Sequence, residues 1–268
     1  MESPSSNSSV NIDELATMFL TPKRVAARDD ENAMLATGTP SEVMHADHPI
    51  HLWSWGTGPR VLLCHGWDSR GSHLGAFLQP LLAANLAVTL YDAPAHGDSP
   101  GHRSNVVDLG RALLTVADAV GPIAGLISHS AGSPASLWAF GKGLDVQASV
   151  HIAGPASLNN ILRGYAYALG LPRDAMPAFK QRVESAIGCP VADLDAEALS
   201  HHLNHPALFI HDQDDREIPV SESQRLHQAS PGSLLEVTAG LGHRRVVGDP
   251  GVVARAVQFL SERIVRAA

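Results

Sequence analysis

The chain has 268 residues, 44% of them hydrophobic, which is enough to bury the core of one average-to-large domain. Its formal net charge of −8 excludes the dense basic surface that neutralises phosphates, so we expect no nucleic-acid partner. The N-terminal stretch MESPSSNSSVNIDEL has no basic region followed by an apolar segment, and no apolar run approaches membrane-spanning length. We therefore expect no signal peptide, no membrane partner, and a flexible N-terminal tail over residues 1–20.

Two cysteines, Cys64 and Cys189, are too few for a disulfide framework. Such cysteine usage is typical of the reducing cytoplasm, and we expect the protein to be cytoplasmic. The oligomeric state is open, and a homodimer is compatible with the sequence.

From residue 50 onward, short apolar runs alternate with amphipathic segments of helical length. In chain order the pattern predicts strands at 50–55 and 61–64, a helix at 72–84, a strand at 86–92, a helix at 104–119, a strand at 123–127, a helix from 131 and a strand at 148–154. After an interval it predicts strands at 207–211 and 233–238 and a helix at 250–265. Strands separated by helices indicate an α/β fold with a mostly parallel central sheet flanked by helices.

Residues 155–203 interrupt this alternation with helical segments and no strand. An insertion between two core strands, near the strand ends where ligand crevices form, predicts a helical lid. Its apolar side chains exceed what a helix with one solvent face needs, and we expect some of them to line an acyl pocket. The candidates are Leu158, Ile161, Leu162, Tyr165, Tyr167, Leu169 and Leu171.

The stretch SHSAG at residues 128–132 lies between a predicted strand and the next helix, with no room for a loop. Such a turn forces its central residue into a strained conformation and needs small residues two positions away on either side. Ser128 and Gly132 meet that requirement, so Ser130 is the candidate nucleophile and Ser128 is expected in the strand–helix packing. The competing interpretation of Ser130 is an ordinary helix N-cap.

A serine hydroxyl becomes a nucleophile only when a base removes its proton and an acid orients that base. His243 follows the strand at 233–238 in a glycine-rich loop and is the candidate base. The acid candidates follow the strand at 207–211, and Asp212, Asp214 and Asp215 remain alternatives on this reasoning. Each group follows a separate strand, so the three loops could converge at one edge of the sheet.

A further segment, His65–Gly66–Trp67, follows the strand at 61–64, where a backbone N–H can turn toward the nucleophile. With the N–H of Ala131 at the start of the next helix, it would supply two donors for a developing oxyanion. Losing one such donor typically lowers the rate about a hundred- to a thousandfold.

These segments together resemble the α/β-hydrolase superfamily over nearly all of residues 50–268. The resemblance is carried by HGW (65–67), YDAPAHGDS (91–99), SHSAG (128–132), HDQDDREIP (211–219) and GLGH (240–243). It implies an α/β-hydrolase domain over residues 21–268, with a helical lid at about 155–203.

The resemblance also implies roles for single residues. Asp215 stands four residues before Pro219, as the acid does in the family's D-x-x-(V/I)-P segment, and Trp67 and Ala131 would provide the oxyanion amides. The sequence departs from the family pattern at Ser128, where glycine is usual, and at the position after His211, where a glycine is common. Neither departure removes a catalytic group.

These residues predict a serine esterase that acts on a small-molecule acyl substrate through a Ser130–His243–Asp215 triad and an acyl-enzyme, with no metal or organic cofactor. Two alternatives stay open: a cofactor-free acyltransferase or perhydrolase with the same triad, and a non-catalytic binding module. A serine at the turn disfavours dehalogenase or epoxide-hydrolase chemistry, which uses an aspartate nucleophile in similar folds. The roles of Arg244 and Arg245 are open.

Several histidines have structural interpretations. We expect His65 and His96 to hold loops around the site, and His129 to pack beside the nucleophile or line its pocket. His201 and His205 have a spacing that can bind metal, but no third ligand accompanies them in a recognised pattern. We therefore expect that pair to lie on a solvated surface.

Overall fold

The computed structural model describes residues 11–265. Its strands are β1 (Thr39–His45), β2 (His48–Trp55), β3 (Arg60–Cys64), β4 (Ala87–Tyr91), β5 (Ile123–His129), β6 (Ala148–Ile152), β7 (Ala207–Asp212) and β8 (Leu234–Thr238). They form an eight-stranded sheet in the order β1-β2-β4-β3-β5-β6-β7-β8. The β1–β2 and β2–β4 pairs are antiparallel and the remaining pairs are parallel, so the predicted mostly parallel sheet is confirmed.

The helices are α1 (Ile12–Phe19), α2 (Asp29–Leu35), α3 (Leu78–Ala83), α4 (Val106–Val120), α5 (Gly132–Phe140), α6 (Leu158–Ala168), α7 (Met176–Ile187), α8 (Ala196–Ser200), α9 (Val220–Ala229), α10 (Gly242–Arg245) and α11 (Pro250–Ser261). Short 3₁₀ helices lie at Gly71–Phe77, Arg173–Ala175, Val191–Leu194 and Val246–Gly248. Among the described residues, no helix combines the length and apolar character needed to cross a membrane.

Two apolar cores lie on opposite faces of the sheet because successive side chains of a strand point to opposite faces. Leu62 of β3 belongs to the core that α4 and α5 cover, whereas its neighbour Leu63 belongs to the core that α3 and α11 cover. All residues of β4, β5, β6 and β7 are buried, as expected for strands with helices on both faces.

Side-chain caps fix where several helices begin. The Asn105 side chain accepts a hydrogen bond from the Asp108 N–H at the start of α4, and Asp249 caps α11 ahead of a proline in its first turn. Ser157 caps α6 in the same way by accepting from the Asn160 N–H. These caps satisfy N–H groups that have no partner within the helix.

The predicted strands agree with β2–β8 to within about two residues at each end. The helix predicted at 72–84 is divided into the 3₁₀ helix Gly71–Phe77 and α3. Strand β1 was not predicted because it lies at the sheet edge with mostly exposed residues, so its sequence TPSEVMH lacks apolar alternation.

The N-terminal segment differs from its expectation. Residues 12–19, expected within a flexible tail, form α1, so the expectation is wrong for this part; residues 1–10 lie outside the described residues. Asn11 caps α1, Leu15 and Ala16 are buried, and Asp13 forms an ion pair with Arg182 of α7. Burial of two apolar residues against the rest of the domain is the physical reason that the segment is ordered.

Between β6 and β7 the chain forms α6, α7 and α8 with two of the 3₁₀ helices, and it contributes no described residue to the sheet. Glu222 of α9 ties the start of this insertion to the domain. Its carboxylate accepts hydrogen bonds from the Ala156 N–H at 2.7 Å and from the Asn160 amide at 3.0 Å.

Candidate active site

The turn between β5 and α5 is as sharp as the sequence predicts. Ser130 has a φ of 52°, a left-handed conformation that a residue with a side chain adopts only under strain. A Cβ atom at Gly132 would lie 2.6 Å from the Cys64 carbonyl oxygen, and one at Gly66 would lie 2.7 Å from the Ser130 Cβ. Both positions therefore require glycine, and their close approach brings the β3 loop against Ser130.

The structure brings Ser130, His243 and Asp215 together from the loops after β5, β8 and β7. Ser130 Oγ lies 3.0 Å from His243 Nε2, and His243 Nδ1 lies 2.7 Å from Asp215 Oδ2. The other oxygen of Asp215 accepts hydrogen bonds from the N–H groups of Glu217 at 2.8 Å and Ile218 at 2.9 Å. These contacts form a continuous line from hydroxyl to imidazole to carboxylate.

The environment of Asp215 keeps its carboxylate ionised. Burial would raise the pKa of Asp215, but hydrogen bonds from His211 and His243 and from the Ile218 N–H outweigh it and hold the pKa well below its usual range. An ionised carboxylate only accepts hydrogen bonds, so the proton of His243 is on Nδ1. His243 Nε2 is then left to accept the proton of the Ser130 hydroxyl.

The other two aspartates hold the loop that carries His243. Asp212 makes hydrogen bonds of 2.9, 3.1 and 2.9 Å to donors of this loop, and Asp214 makes one of 2.8 Å. For Asp212 the donors are the Thr238 hydroxyl and the N–H groups of Leu241 and Gly242; for Asp214 the donor is the Gly240 N–H. Of the three candidates, Asp215 is the one that contacts the His243 ring.

His129, the residue before Ser130, supports His243 from the other side. Its Nε2 donates a hydrogen bond to the His243 carbonyl oxygen at 2.9 Å, and the centroids of the two imidazole rings are 4.8 Å apart. Burial and the neighbouring His243 lower the pKa of His129 to about 3, so its ring is neutral. His129 lines the cavity, as expected, but its bond to the backbone of His243 was not predicted.

Two backbone N–H groups beside Ser130 are free to bind a ligand. No described residue accepts a hydrogen bond from the N–H of Trp67 or Ala131. Trp67 follows Gly66, which contacts Ser130, and Ala131 follows Ser130 directly. Both residues line the same cavity as Ser130 and His243.

Two histidines fix the loop that carries Trp67. His65 Nε2 accepts a hydrogen bond from the Ala93 N–H at 2.9 Å, and its Nδ1 donates to the Gly66 carbonyl oxygen at 2.7 Å. Burial keeps the pKa of His65 well below its ordinary value, so the ring stays neutral. The His96 ring meets the Trp67 ring edge-on at 5.1 Å.

The candidate site opens into a cavity of about 2050 Å³. Its walls come from α6, from the loop after β3 and from residues 17–31, which include the end of α1. The contribution of the N-terminal segment was missed by sequence reasoning, although Leu15, Ala16 and Phe19 have helical spacing that could have indicated it.

The insertion supplies part of the apolar wall. Leu158, Ile161 and Tyr165 line the cavity, as expected, because they share one face of α6. The expectation is wrong for Tyr167 and Leu169, whose exposed fractions are 87% and 50% and which do not line it. Tyr167 lies on the opposite face of α6 from Tyr165, and Leu169 follows the end of the helix. Leu162 and Leu171 do not line the cavity either, because they belong to or pack against the core.

His201 and His205 lie in different environments. His205 Nε2 bonds to the Ser149 hydroxyl at 2.9 Å, and its ring packs edge-on against Phe140 at 4.6 Å, whereas His201 is exposed. The part of the chain that the structure describes contains no group of three or more His, Cys, Asp or Glu residues that could hold a metal ion.

The sharp strand-to-helix turn at the carboxyl edge of a helix-covered parallel sheet defines this protein as an α/β hydrolase. Residues 61–256 match the model of the Alpha/beta hydrolase family, and the chain belongs to that family. A comparison with curated protein sequences finds no significant match.

Several solved structures have the same fold and low sequence identity to this chain. An esterase from Pyrococcus furiosus is 21% identical with a TM-score of 0.70, over 92% of this chain and 100% of that chain. A bromoperoxidase from Bacillus anthracis is 17% identical with a TM-score of 0.67, over 84% and 100% of the two chains. An esterase from Exiguobacterium antarcticum is 14% identical with a TM-score of 0.66, over 84% and 100%. At these identities the similarity concerns the fold.

Proposed function

We propose that this protein is a serine hydrolase that cleaves carboxylic esters of small molecules through an acyl-enzyme intermediate. The observation that carries the proposal is the hydrogen-bonded line from Ser130 through His243 to Asp215, at the wall of a large cavity. Membership of a hydrolase family supports it. The ionised state of Asp215 supports it as well, because that state leaves Nε2 of His243 as a proton acceptor.

The reaction begins when Ser130 Oγ attacks the ester carbonyl carbon and His243 Nε2 takes the hydroxyl proton. Asp215 holds the imidazole in place and stabilises the imidazolium that forms. The negative oxygen of the tetrahedral intermediate accepts hydrogen bonds from the N–H groups of Trp67 and Ala131. As the C–O bond to the alcohol breaks, His243 returns the proton to the alcohol oxygen, and Ser130 is left acylated.

Water completes the cycle by the same route. His243 takes a proton from a water molecule as its oxygen attacks the acyl carbonyl carbon, and a second tetrahedral intermediate forms. Collapse of this intermediate returns the proton to Ser130 Oγ and releases the carboxylic acid. Each step transfers one proton through Nε2 of one imidazole, so the mechanism requires no further acid or base.

The proposal extends to the organisation of the chain. The hydrolase domain, expected over residues 21–268, also includes α1, because Leu15 and Ala16 lie in its core. The insertion at 155–203 acts as its lid, because residues of α6 line the cavity beside Ser130. The hydrogen bonds from Ala156 and Asn160 to Glu222 fix the start of this lid against α9. Two free cysteines, Cys64 and Cys189, support a cytoplasmic location.

Hydrolysis of p-nitrophenyl esters by Ser130→Ala and Ser128→Ala tests the proposal. Ser130→Ala should lose about five orders of magnitude or more in kcat, as serine hydrolases do without their nucleophile. Ser128 is the matched control, because its buried hydroxyl bonds to His151 behind the turn and its removal should leave most activity. Equal loss in both variants, or fluorophosphonate labelling of Ser128, would contradict the proposal.

Product analysis separates hydrolysis from acyl transfer. With an alcohol, a thiol or a peroxide added as acceptor, the free acid should remain the dominant product. A dominant transfer product would identify the protein as an acyltransferase or perhydrolase that uses the same residues.

A further inference from the structure

The residues that line the cavity form two chemically different groups, which we call its apolar arm and its polar arm. The apolar arm contains Phe19, Val106, Leu158, Ile161, Tyr165 and Leu194. Except for Ile161, these side chains belong to or pack against the core on the α4 and α5 face. The polar arm contains Arg28, Glu31, Ser69, Ser72, His73 and Arg244. It lies on the other face, where Leu35, Leu74 and Val247 anchor the same elements in the second core.

The polar arm contains a hydroxyl whose hydrogen-bonding capacity is unused. Ser72 is 5% exposed, and no described residue provides a hydrogen-bond partner for its Oγ. Buried hydroxyls normally have a partner, because losing water without replacing it is destabilising. An unpartnered hydroxyl in a cavity wall is therefore suited to bind a ligand.

Glu31 adds a buried carboxylate oxygen that has an ion-pair partner but no hydrogen-bond donor among the described residues. Its side chain is 4% exposed, and Oε2 accepts a hydrogen bond from the Arg28 N–H at 3.0 Å. Oε1 lies 2.7 Å from Arg28 Nη1 as an ion pair without hydrogen-bond geometry, so this oxygen has no hydrogen-bond donor among the described residues.

His73 completes the group. Its Nδ1 bonds to the Ser69 hydroxyl at 2.9 Å, whereas its Nε2 is 3.7 Å from Glu31 Oε1, too far for a direct hydrogen bond. Burial lowers the pKa of His73, so the ring is neutral and presents one donor and one acceptor nitrogen.

The charges of the polar arm indicate which ligand chemistry fits. Arg28 forms two hydrogen bonds to Asp30 at 3.1 and 3.2 Å, and Arg244 forms two to Glu217 at 2.9 and 3.0 Å. Both guanidinium groups are thus engaged by carboxylates, which disfavours an anionic ligand. Glu31 is in turn paired with Arg28, which disfavours a cationic one.

The groups that can still hydrogen-bond a ligand are a serine hydroxyl, a neutral imidazole and a carboxylate oxygen. Together they suit a ligand group that both donates and accepts hydrogen bonds. An alcohol hydroxyl is such a group. We propose that Ser72, Glu31 and His73 form a subsite for the leaving alcohol, which hydrogen-bonds a free hydroxyl of a polyol ester. This inference rests on the proposed function and names the substrate class of the same site: an apolar acyl group esterified to an uncharged polyol.

The exposure of the polar arm explains why it takes the alcohol and not the acyl group. The side chains of Arg28, Asp30 and Arg244 are 66%, 72% and 59% exposed, so this arm opens to solvent. A polar alcohol released there leaves directly into water. The apolar arm retains the acyl chain on Ser130 until water attacks.

A pair of substrates with one acyl group tests the subsite: monodecanoylglycerol, which has free hydroxyls, and ethyl decanoate, which has none. Ser72→Ala should lower kcat/KM about three- to tenfold for the glycerol ester, the factor expected for one neutral hydrogen bond. It should leave kcat/KM for the ethyl ester unchanged. Its melting temperature should not fall, because Ser72 Oγ has no partner to lose. Ser185→Ala, at an exposed position of α7, is the matched control and should leave kcat/KM unchanged for both substrates.

Equal effects of Ser72→Ala on both esters, including no effect on either, would overturn the subsite. A wild-type preference for decanoylcholine over the glycerol ester would overturn the assignment to an uncharged polyol. In both cases hydrolysis of p-nitrophenyl and ethyl esters would continue, and the proposed function would stand. Absence of hydrolysis from every ester would instead overturn the proposed function and the subsite with it.

Discussion

At the scale of the residue, three aspartates within four positions have different partners. Asp215 faces the His243 ring, whereas Asp212 and Asp214 accept hydrogen bonds from the backbone that leads to it. Two of these carboxylates therefore hold the loop in place, and the third orients the imidazole. Asp212 is the last residue of β7, and Asp214 and Asp215 follow it in the loop, where Asp215 alone of the three faces the imidazole.

Asp215→Asn should lower kcat about ten-thousandfold, because an amide can donate to Nδ1 and favour the wrong tautomer of His243. Asp214→Asn is the matched control and should lose far less, since its amide oxygen can still accept the hydrogen bond from the Gly240 N–H. Steady-state kinetics on a p-nitrophenyl ester measure both. A fully active Asp215→Asn variant would refute the assigned role.

At the scale of the element, two segments distant in sequence form one wall of the cavity. The Phe19 ring of α1 lies 5.1 Å from the Tyr165 ring of α6, and both contact Phe179 of α7. The N-terminal helix is therefore joined to the insertion through an aromatic cluster. A substitution in either helix should therefore alter the same end of the cavity.

Tyr165→Ala should shift the ratio of kcat/KM between long and short acyl esters, on the order of tenfold, because the ring lines the apolar arm. Tyr167→Ala is the matched control: it lies two residues away, is 87% exposed and should leave the ratio unchanged. A panel of p-nitrophenyl esters of rising chain length measures the shift. An unchanged ratio with a large fall in melting temperature for Tyr165→Ala would show that this ring is only part of the core.

At the scale of the whole molecule, buried neutral histidines make stability depend on pH. Burial lowers the pKa of His129 and His151 to about 3 and that of His205 to about 4. In the unfolded chain a histidine has a pKa of about 6.5. Below that pH the unfolded chain binds protons that the folded protein does not, so the free energy of unfolding falls as the pH decreases.

Urea unfolding at pH 7.5 and pH 5 should give a lower free energy of unfolding at pH 5. Each such histidine contributes up to about 1.4 kcal/mol per pH unit below its unfolded pKa. In His151→Gln the decrease should be smaller by about 2 kcal/mol, since one buried imidazole is gone. The lowered pKa of Asp215 does not interfere, because its stabilisation is lost only as the pH falls below about 4. An equal decrease in both proteins would contradict this account.

Features that depend on neighbouring residues could be predicted from the pattern of the chain. The sharp turn at Ser130 follows from small residues between an apolar run and a helix, and the parallel sheet follows from the alternation of strands and helices. Both are confirmed, because short-range sterics and hydrophobic periodicity are encoded locally.

Contacts between distant segments had no such local signal. The hydrogen bond from His129 to the His243 carbonyl oxygen joins residues that are 114 positions apart. Helix α1 lies against α7, which is also distant in sequence, and Asp13 pairs there with Arg182. The burial of the Ser72 hydroxyl without a described hydrogen-bond partner depends on the tertiary packing, in which α2 contacts the 3₁₀ helix Gly71–Phe77. Tertiary packing decides which apolar faces of the helices and strands contact each other. The same packing shapes the cavity and its two arms.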